Sequence, residues 1–140
     1  MRIGVDIHGV IDLNPNLSRV ILKALIDAGH EIFIISGPPL TEIFDILKNV
    51  NLKSVTHYHG IRSIVDFLQQ RNVKMWLDKK NTWWADYKDW WGAKSKICDE
   101  LNIDIMVDDS VEYAYYFDDI NTKFILFTGD IENILQYGSL

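Results

Sequence analysis

The sequence predicts an α/β domain, a parallel five-stranded sheet sandwiched between two helical layers. Three observations carry that expectation. Short runs rich in Ile, Val and Phe alternate with stretches whose apolar residues recur every three or four positions. The runs are only four to eight residues long, the length of buried strands rather than helices. The chain has 140 residues, 48% of them hydrophobic, enough for one ordinary domain that buries roughly two thirds of its unfolded surface.

The elements follow in order. Ile3–Asp6 is the first run. Asn14 is a natural N-cap with Pro15 at the first helical position, and Leu17, Val20, Ile21, Ala24, Leu25 and Ala28 make one apolar stripe ending at Gly29. Glu31–Ser36 is the second run, and Ile43, Phe44, Ile46 and Leu47 mark a helix after Thr41. Ser54–Tyr58 reads as the third strand, with Ile61, Ile64, Val65 and Leu68 on the helix after it. Val73–Trp91 then breaks the alternation. It holds all five tryptophans (Trp76, Trp83, Trp84, Trp90 and Trp91) together with Tyr87. It reads as an insertion over about 73–93, with a hairpin turning near Asp78–Asn81. Ser95–Leu101 is a fourth helix, Asp104–Asp108 and Lys123–Thr128 are the last strands, and Ile131–Tyr137 is a short final helix. Nothing marks a second domain or a repeat, so residues 1–140 form a single unit.

Composition excludes several classes of function. Fourteen basic against twenty acidic side chains give a formal charge of −6, which repels a phosphate backbone and argues against general nucleic-acid binding. One cysteine, Cys98, excludes a disulfide framework, and with four scattered histidines it excludes a cysteine-rich zinc module. No apolar run approaches the roughly 20 residues that span a bilayer. Met1–Val10 carries Asp6 and His8 inside its apolar run and lacks a small-residue cleavage site, so it does not read as a signal peptide. A soluble, cytoplasmic protein with no membrane partner is expected.

Parallel sheets bind ligands beyond the carboxyl ends of their strands. The polar residues ending the runs are therefore the candidates: Asp6, Ser36, His57 with His59, and Asp108 with Asp109. A lone Asp6 is explained as a turn cap, with Gly9 allowing a sharp exit of the chain. The acidic pair changes that. Two carboxylates ending one apolar strand are costly unless a cation neutralises them. At about 4 Å and an effective dielectric near 20, each like-charge pair costs about 4 kcal/mol. Three such groups on one sheet edge read as a hard-cation site, for Mg²⁺.

The pattern resembles the haloacid dehalogenase superfamily of phosphotransferases. The resemblance rests on Val5-Asp6-Ile7-His8-Gly9-Val10, Ile34-Ile35-Ser36-Gly37, Lys94 at a helix start, and Ile105-Met106-Val107-Asp108-Asp109-Ser110. It spans Arg2 to about Thr128 and is nearest the deoxyribonucleotidase-like branch. It implies a phosphatase, hydrolysing a small phosphorylated substrate, with a nucleotide as the candidate, through a phosphoaspartate on Asp6. It also implies that the His8 carbonyl, Asp6 and Asp109 hold Mg²⁺, with Asp108 assisting. Ser36 and Gly37 would bind the phosphoryl group and Lys94 would neutralise it. Taken alone, Ser36 reads as a turn residue before Gly37-Pro38-Pro39, and Lys96 competes with Lys94. Lys94 is preferred because it precedes a helix whose buried face carries Ile97 and Cys98.

One departure matters. The superfamily places an Asp two residues after the nucleophile as acid and base, and here that position is His8. Imidazole, with an unperturbed pKa of about 6.5, can do the same work. The alternative is a catalytically weak or inactive protein that binds a phosphate or nucleotide. A receiver of the response-regulator kind also uses strand-end carboxylates and Mg²⁺, but its acidic pair follows the first strand, whereas Asp108-Asp109 follows the fourth.

His57 and His59 lie two apart after the expected third strand, near the same sheet edge. Without a third nitrogen or sulfur ligand they read as loop residues or substrate contacts. Arg62 is by default an exposed helix arginine, and Cys98 a small core residue. The tryptophans form either a lid that stacks a base or a satellite core and homo-oligomer contact. The resemblance implies caps after the first motif or between the second and third. Both intervals are short here, leaving a small cap or none.

Overall fold

Along residues 1–129, which the computed structural model describes, β1 (Arg2–Val5) leads through a 3₁₀ turn at Ile11–Leu13 into α1 (Pro15–Asp27). β2 (Glu31–Ser36), α2 (Leu40–Asn49), β3 (Gly60–Ser63) and α3 (Ile64–Gln70) follow. A hairpin of β4 (Met75–Leu77) and β5 (Trp83–Ala85) precedes α4 (Tyr87–Glu100). β6 (Ile105–Asp108), α5 (Val111–Ala114) and β7 (Lys123–Leu126) complete the described chain. Five strands form one parallel sheet in the order β3-β2-β1-β6-β7.

Strand residues alternate between the two faces, and the core divides accordingly. Ile32 and Ile34 of β2 join Ile3, Val5, Leu22, Ile43 and Leu47 under α1 and α2. Phe33 and Ile35 join Val65, Leu68, Trp90, Ile97 and Met106 under α3 and α4. The result is the expected three-layer α/β/α sandwich. Among the described residues no helix is long and apolar enough to cross a membrane.

Local signals hold well at α1. Asn14 Oδ1 accepts the Leu17 N–H at 3.2 Å, Pro15 opens the helix, and Gly29 follows it at φ +94°. The buried line differs from the expected stripe: Leu22 is buried, while Val20, Ala24 and Ala28, one i, i+4 row, face out. In α2, Ile43 and Leu47 are buried but Phe44 is exposed.

Three expectations need correction. The third strand is Gly60–Ser63, not Ser54–Tyr58. The earlier segment closes on itself instead, with Val55 at φ +71°, its N–H on the Tyr58 carbonyl at 2.7 Å, and only an isolated bridge from Ser54 to Tyr58. Ile61 therefore belongs to β3, and α3 begins at Ile64 with the Ser63 hydroxyl capping it through the Asp66 N–H. The fourth helix starts at Tyr87 rather than Ser95, so Trp90 and Trp91 are helical and Lys94 lies well inside α4 rather than before it. The hairpin turns where expected. Asp78 Oδ1 accepts the N–H groups of Lys80 and Thr82 at 2.8 and 3.0 Å, and Asn81 takes φ +58°. The expected helix at Ile131–Tyr137 lies outside the described residues.

Candidate functional site

β1 occupies the centre of the sheet, with β2 on one side and β6 on the other. Chain connections leave these strands in opposite directions, which opens a crevice beyond their carboxyl ends. Asp6 directly follows β1, and its N–H extends the ladder onto the Val107 carbonyl at 3.1 Å. Asp108 ends β6, Asp109 follows it, and Ser36 ends β2. Rigid strands thus deliver three carboxylates and a hydroxyl to one edge. One acceptor atom from each of Asp6, Asp108 and Asp109 lies within 4.8 Å of the others.

α4 adds the cation. Lys94 is 1% exposed, and its Nζ sits 3.2 Å from Asp6 Oδ1, donates to Asp108 Oδ2, and lies 4.3 Å from the centre of the Tyr113 ring. Asp6 Oδ1 also accepts the Ile7 N–H at 2.9 Å, and Asp108 Oδ1 that of Ser110 at 2.9 Å. Burial alone would lower the Lys94 pKa. The Asp6 carboxylate, with Tyr113 and Asp108, outweighs that and holds the ammonium well above the usual lysine range. Burial pushes Asp108 up to about 6 despite the pull of Lys94, and drives the Tyr113 phenol far above its ordinary value. With every group ionised, three carboxylates against one ammonium leave two negative charges, which one divalent ion balances. An all-oxygen donor set of this kind fits a hard cation.

Gly9 is required by this geometry. It has φ +78°, and a Cβ there would fall 1.9 Å from Asp109 Oδ2. Asp109 is exposed toward the cleft, whereas Asp108 is fully buried beneath it.

A cleft of about 500 Å³ opens above the carboxylates, lined in part by Asp6, His8, Ser36, Gly37, Lys94 and Asp109. These are six of the seven residues to which the resemblance gives roles, and the seventh, Asp108, is buried against Lys94. Ser36 Oγ is buried with no hydrogen-bond partner among the described residues. The loop after it is pinned from α3: Ser63 Oγ donates to the Pro38 carbonyl at 2.5 Å, and Asp66 Oδ1 accepts the Leu40 N–H at 2.9 Å. His8 is more than half exposed, with Nδ1 3.1 Å from Asp12 Oδ2, and Asp12 Oδ1 accepts the Gly9 N–H at 2.8 Å.

The opposite wall is aromatic. Trp83, Trp84, Trp90 and Trp91 line it, and the hairpin tip brings Lys80, Asn81 and Thr82 to the mouth. Trp84 packs on Trp90 with ring centres 5.1 Å apart, and its Nε1–H donates to Asp78 Oδ2 at 2.9 Å. Trp91 meets Tyr113 edge-on at 4.7 Å. Trp90 lies under Gly37, where a Cβ would approach its ring to 3.2 Å.

Other candidates fall elsewhere. Lys96 is exposed on another face of α4. His57 and His59 are not at the carboxyl edge, because both precede β3. Their Nδ1 atoms accept the Lys53 and Ile32 N–H groups at 2.9 and 3.0 Å. Arg62 faces Glu100 at 3.9 Å. Sequence reasoning missed Tyr113, Asp12 and the reach of the hairpin tip, Lys80 to Thr82, into the cleft lining. Only Asp12 carried a usable signal, its placement four residues after His8.

No family model matches the chain, and no curated protein matches it. Among solved structures it is similar to an uncharacterized protein from Corynebacterium glutamicum ATCC 13032 Kitasato solved at 1.44 Å. The two share 15% identity with a TM-score of 0.61, over 99% of this chain and 95% of that one. At that identity the likeness shows the fold alone.

Proposed function

We propose that the chain is a Mg²⁺-dependent phosphomonoester hydrolase working through a phosphoaspartate on Asp6. One observation carries this reading: three carboxylates converge within 4.8 Å around a buried lysine at the sheet's switch point, beside the unpartnered Ser36 hydroxyl. Asp6, Asp109 and the His8 carbonyl would hold Mg²⁺, with Asp108 assisting from below. When bound, the ion would supply the positive charge that lets a carboxylate approach a phosphate dianion.

The chain's own residues account for the rest. An Asp6 oxygen attacks phosphorus, the bond from phosphorus to the ester oxygen breaks, and His8 gives the departing alcohol its proton. Water then attacks phosphorus, His8 takes its proton, and inorganic phosphate leaves with Asp6 regenerated. The Asp12 contact to Nδ1 leaves Nε2 as the exchanging nitrogen. Ser36 and the Gly37 N–H position the phosphoryl oxygens, and Lys94 neutralises them while fixing Asp6 and Asp108. The tryptophan wall supports a planar leaving group, hence a nucleotide-type substrate. The lone buried, unpaired Cys98 accords with a reducing, cytoplasmic setting.

Phosphate release from nucleoside monophosphates and small phosphomonoesters, with Mg²⁺ or EDTA, tests the reading. Turnover that needs Mg²⁺ and disappears in Asp6→Asn is expected. Binding of these compounds with no turnover would favour the alternative of a phosphate- or nucleotide-binding protein in which His8 replaces a necessary carboxylate.

A further inference from the structure

A second polar groove lies apart from the acidic cleft, between α1 and the 51–57 loop. It has a volume of about 450 Å³, and its walls carry Arg19, Lys23, Asn51, Lys53, Thr56 and His57. In a chain of formal charge −6, this concentration of basic groups is the reverse of the average surface. The carboxylate seen against them is Asp27, which holds Lys23 at 2.6 Å. Arg19, Lys53 and His57 have no acidic partner among the described residues.

The groove is organised rather than a set of loose side chains. Arg19 is fixed by donation to the Val50 carbonyl at 2.6 Å and to the Asn16 side chain, which leaves three of its five N–H donors uncommitted. His57 is 7% exposed and is held by a reciprocal pair: the Lys53 N–H donates to its Nδ1 at 2.9 Å, and its own N–H donates to the Lys53 carbonyl at 2.9 Å. With Nδ1 an acceptor, the neutral ring carries its proton on Nε2 and offers a donor there. Besides burial, Arg19, Lys53 and Lys23 all hold the imidazole pKa down, so their positive fields converge on this ring. The loop that arranges them is strained, with the β-branched Val55 at φ +71°, a conformation that tends to persist at functional sites.

Convergent cations and a fixed N–H donor match a tetrahedral oxyanion. A cation would be repelled, and a long polyanion would meet the negative remainder of the surface. We propose that this groove is an anion site for a single phosphate group, free or carried by a small phosphorylated ligand. It does not depend on the hydrolase reading.

The test is a backbone amide NMR titration of the full chain with inorganic phosphate and, separately, glucose 6-phosphate. Saturable shifts at Lys53, Thr56 and His57 are expected, with their own midpoint distinct from any shifts at Gly9, Gly37 and Ser110. Lys23→Ala/Lys53→Ala changes two exposed side chains and should raise that midpoint about tenfold or more, the loss of one or both charge-assisted contacts, leaving the Gly9 and Gly37 responses alone. Lys96→Ala should change neither. Tighter binding of the sugar phosphate assigns an organic ligand, and equal binding assigns free phosphate. Shifts confined to Gly9, Gly37 and Ser110, or an unchanged midpoint in the double variant, would overturn the proposal. So would a single-stranded oligonucleotide that binds the groove more tightly than either probe.

Discussion

Replacing Lys94 with methionine keeps the aliphatic stem and removes the ammonium lying between Asp6 and Asp108. Both carboxylates stay where their strands put them, so their repulsion is no longer offset. At the 4.8 Å limit of the cluster, two unit charges in an effective dielectric near 20 repel by about 3.5 kcal/mol. That agrees with the roughly 3–5 kcal/mol lost when a buried pair is deprived of one partner. Urea unfolding in EDTA at pH 7 should show this loss, and the thermal midpoint should fall by about 10–17 °C for a chain of this length. The pH dependence has a definite sign. Burial already lifts Asp108 to about 6 against the pull of Lys94, and the variant removes that pull. A carboxyl whose folded pKa exceeds its unfolded one contributes stability that is present at low pH and lost as pH rises through the folded value. The deficit should therefore narrow from pH 7 to pH 5. Lys94→Met/Asp108→Asn, or added Mg²⁺, should recover much of it at pH 7. A variant as stable as wild type in EDTA, or a deficit independent of pH, would refute the electrostatic account.

Three further outcomes are expected. Gly9→Ala forces a Cβ onto Asp109 at φ +78°. It should cost about 1–3 kcal/mol and shrink the Mg²⁺-induced rise in melting temperature, whereas a full Mg²⁺ response would contradict the placement of Asp109. Burial, then Arg19, Lys53 and Lys23, hold His57 below 6.5, so wild type gains stability above the unfolded pKa and loses it as pH falls. His57→Gln should flatten stability between pH 6.5 and 5, and an identical slope would count against the assignment. Burial pushes the Cys98 thiol up to about 12, so a disulfide reagent should label it only after unfolding, and fast native-state labelling would disprove its burial.

The strand-end residues were readable because buried parallel strands leave continuous apolar runs, and whatever ends such a run is delivered to the ligand-binding edge. Asp6, Ser36, Asp108 and Asp109 emerge from that rule. β3 does not, since an edge strand tolerates Arg62 and Ser63. Ser54–Tyr58 offered β-formers in its place, but the segment turns, with Val55 at positive φ and its N–H on the Tyr58 carbonyl. The start of α4 was hidden because Tyr87-Lys88-Asp89 presents no apolar stripe before Trp90. Lys94 was still identifiable: Ile97 and Cys98, three and four residues on, share its buried face. The partnership with Tyr113, the seat of Trp90 under Gly37 and the reach of the hairpin tip are tertiary contacts between elements far apart in sequence. No local pattern encodes them.

The most direct test of the central claim is chemical trapping of Asp6. The chain would be mixed with p-nitrophenyl phosphate and Mg²⁺, quenched, reduced with borohydride and mapped by peptide mass spectrometry. An acyl phosphate on Asp6 is reduced to homoserine, so the account predicts homoserine at position 6, absent without substrate or with EDTA. Release of p-nitrophenol with Asp6 unmodified, or reduction at another carboxylate, would contradict it.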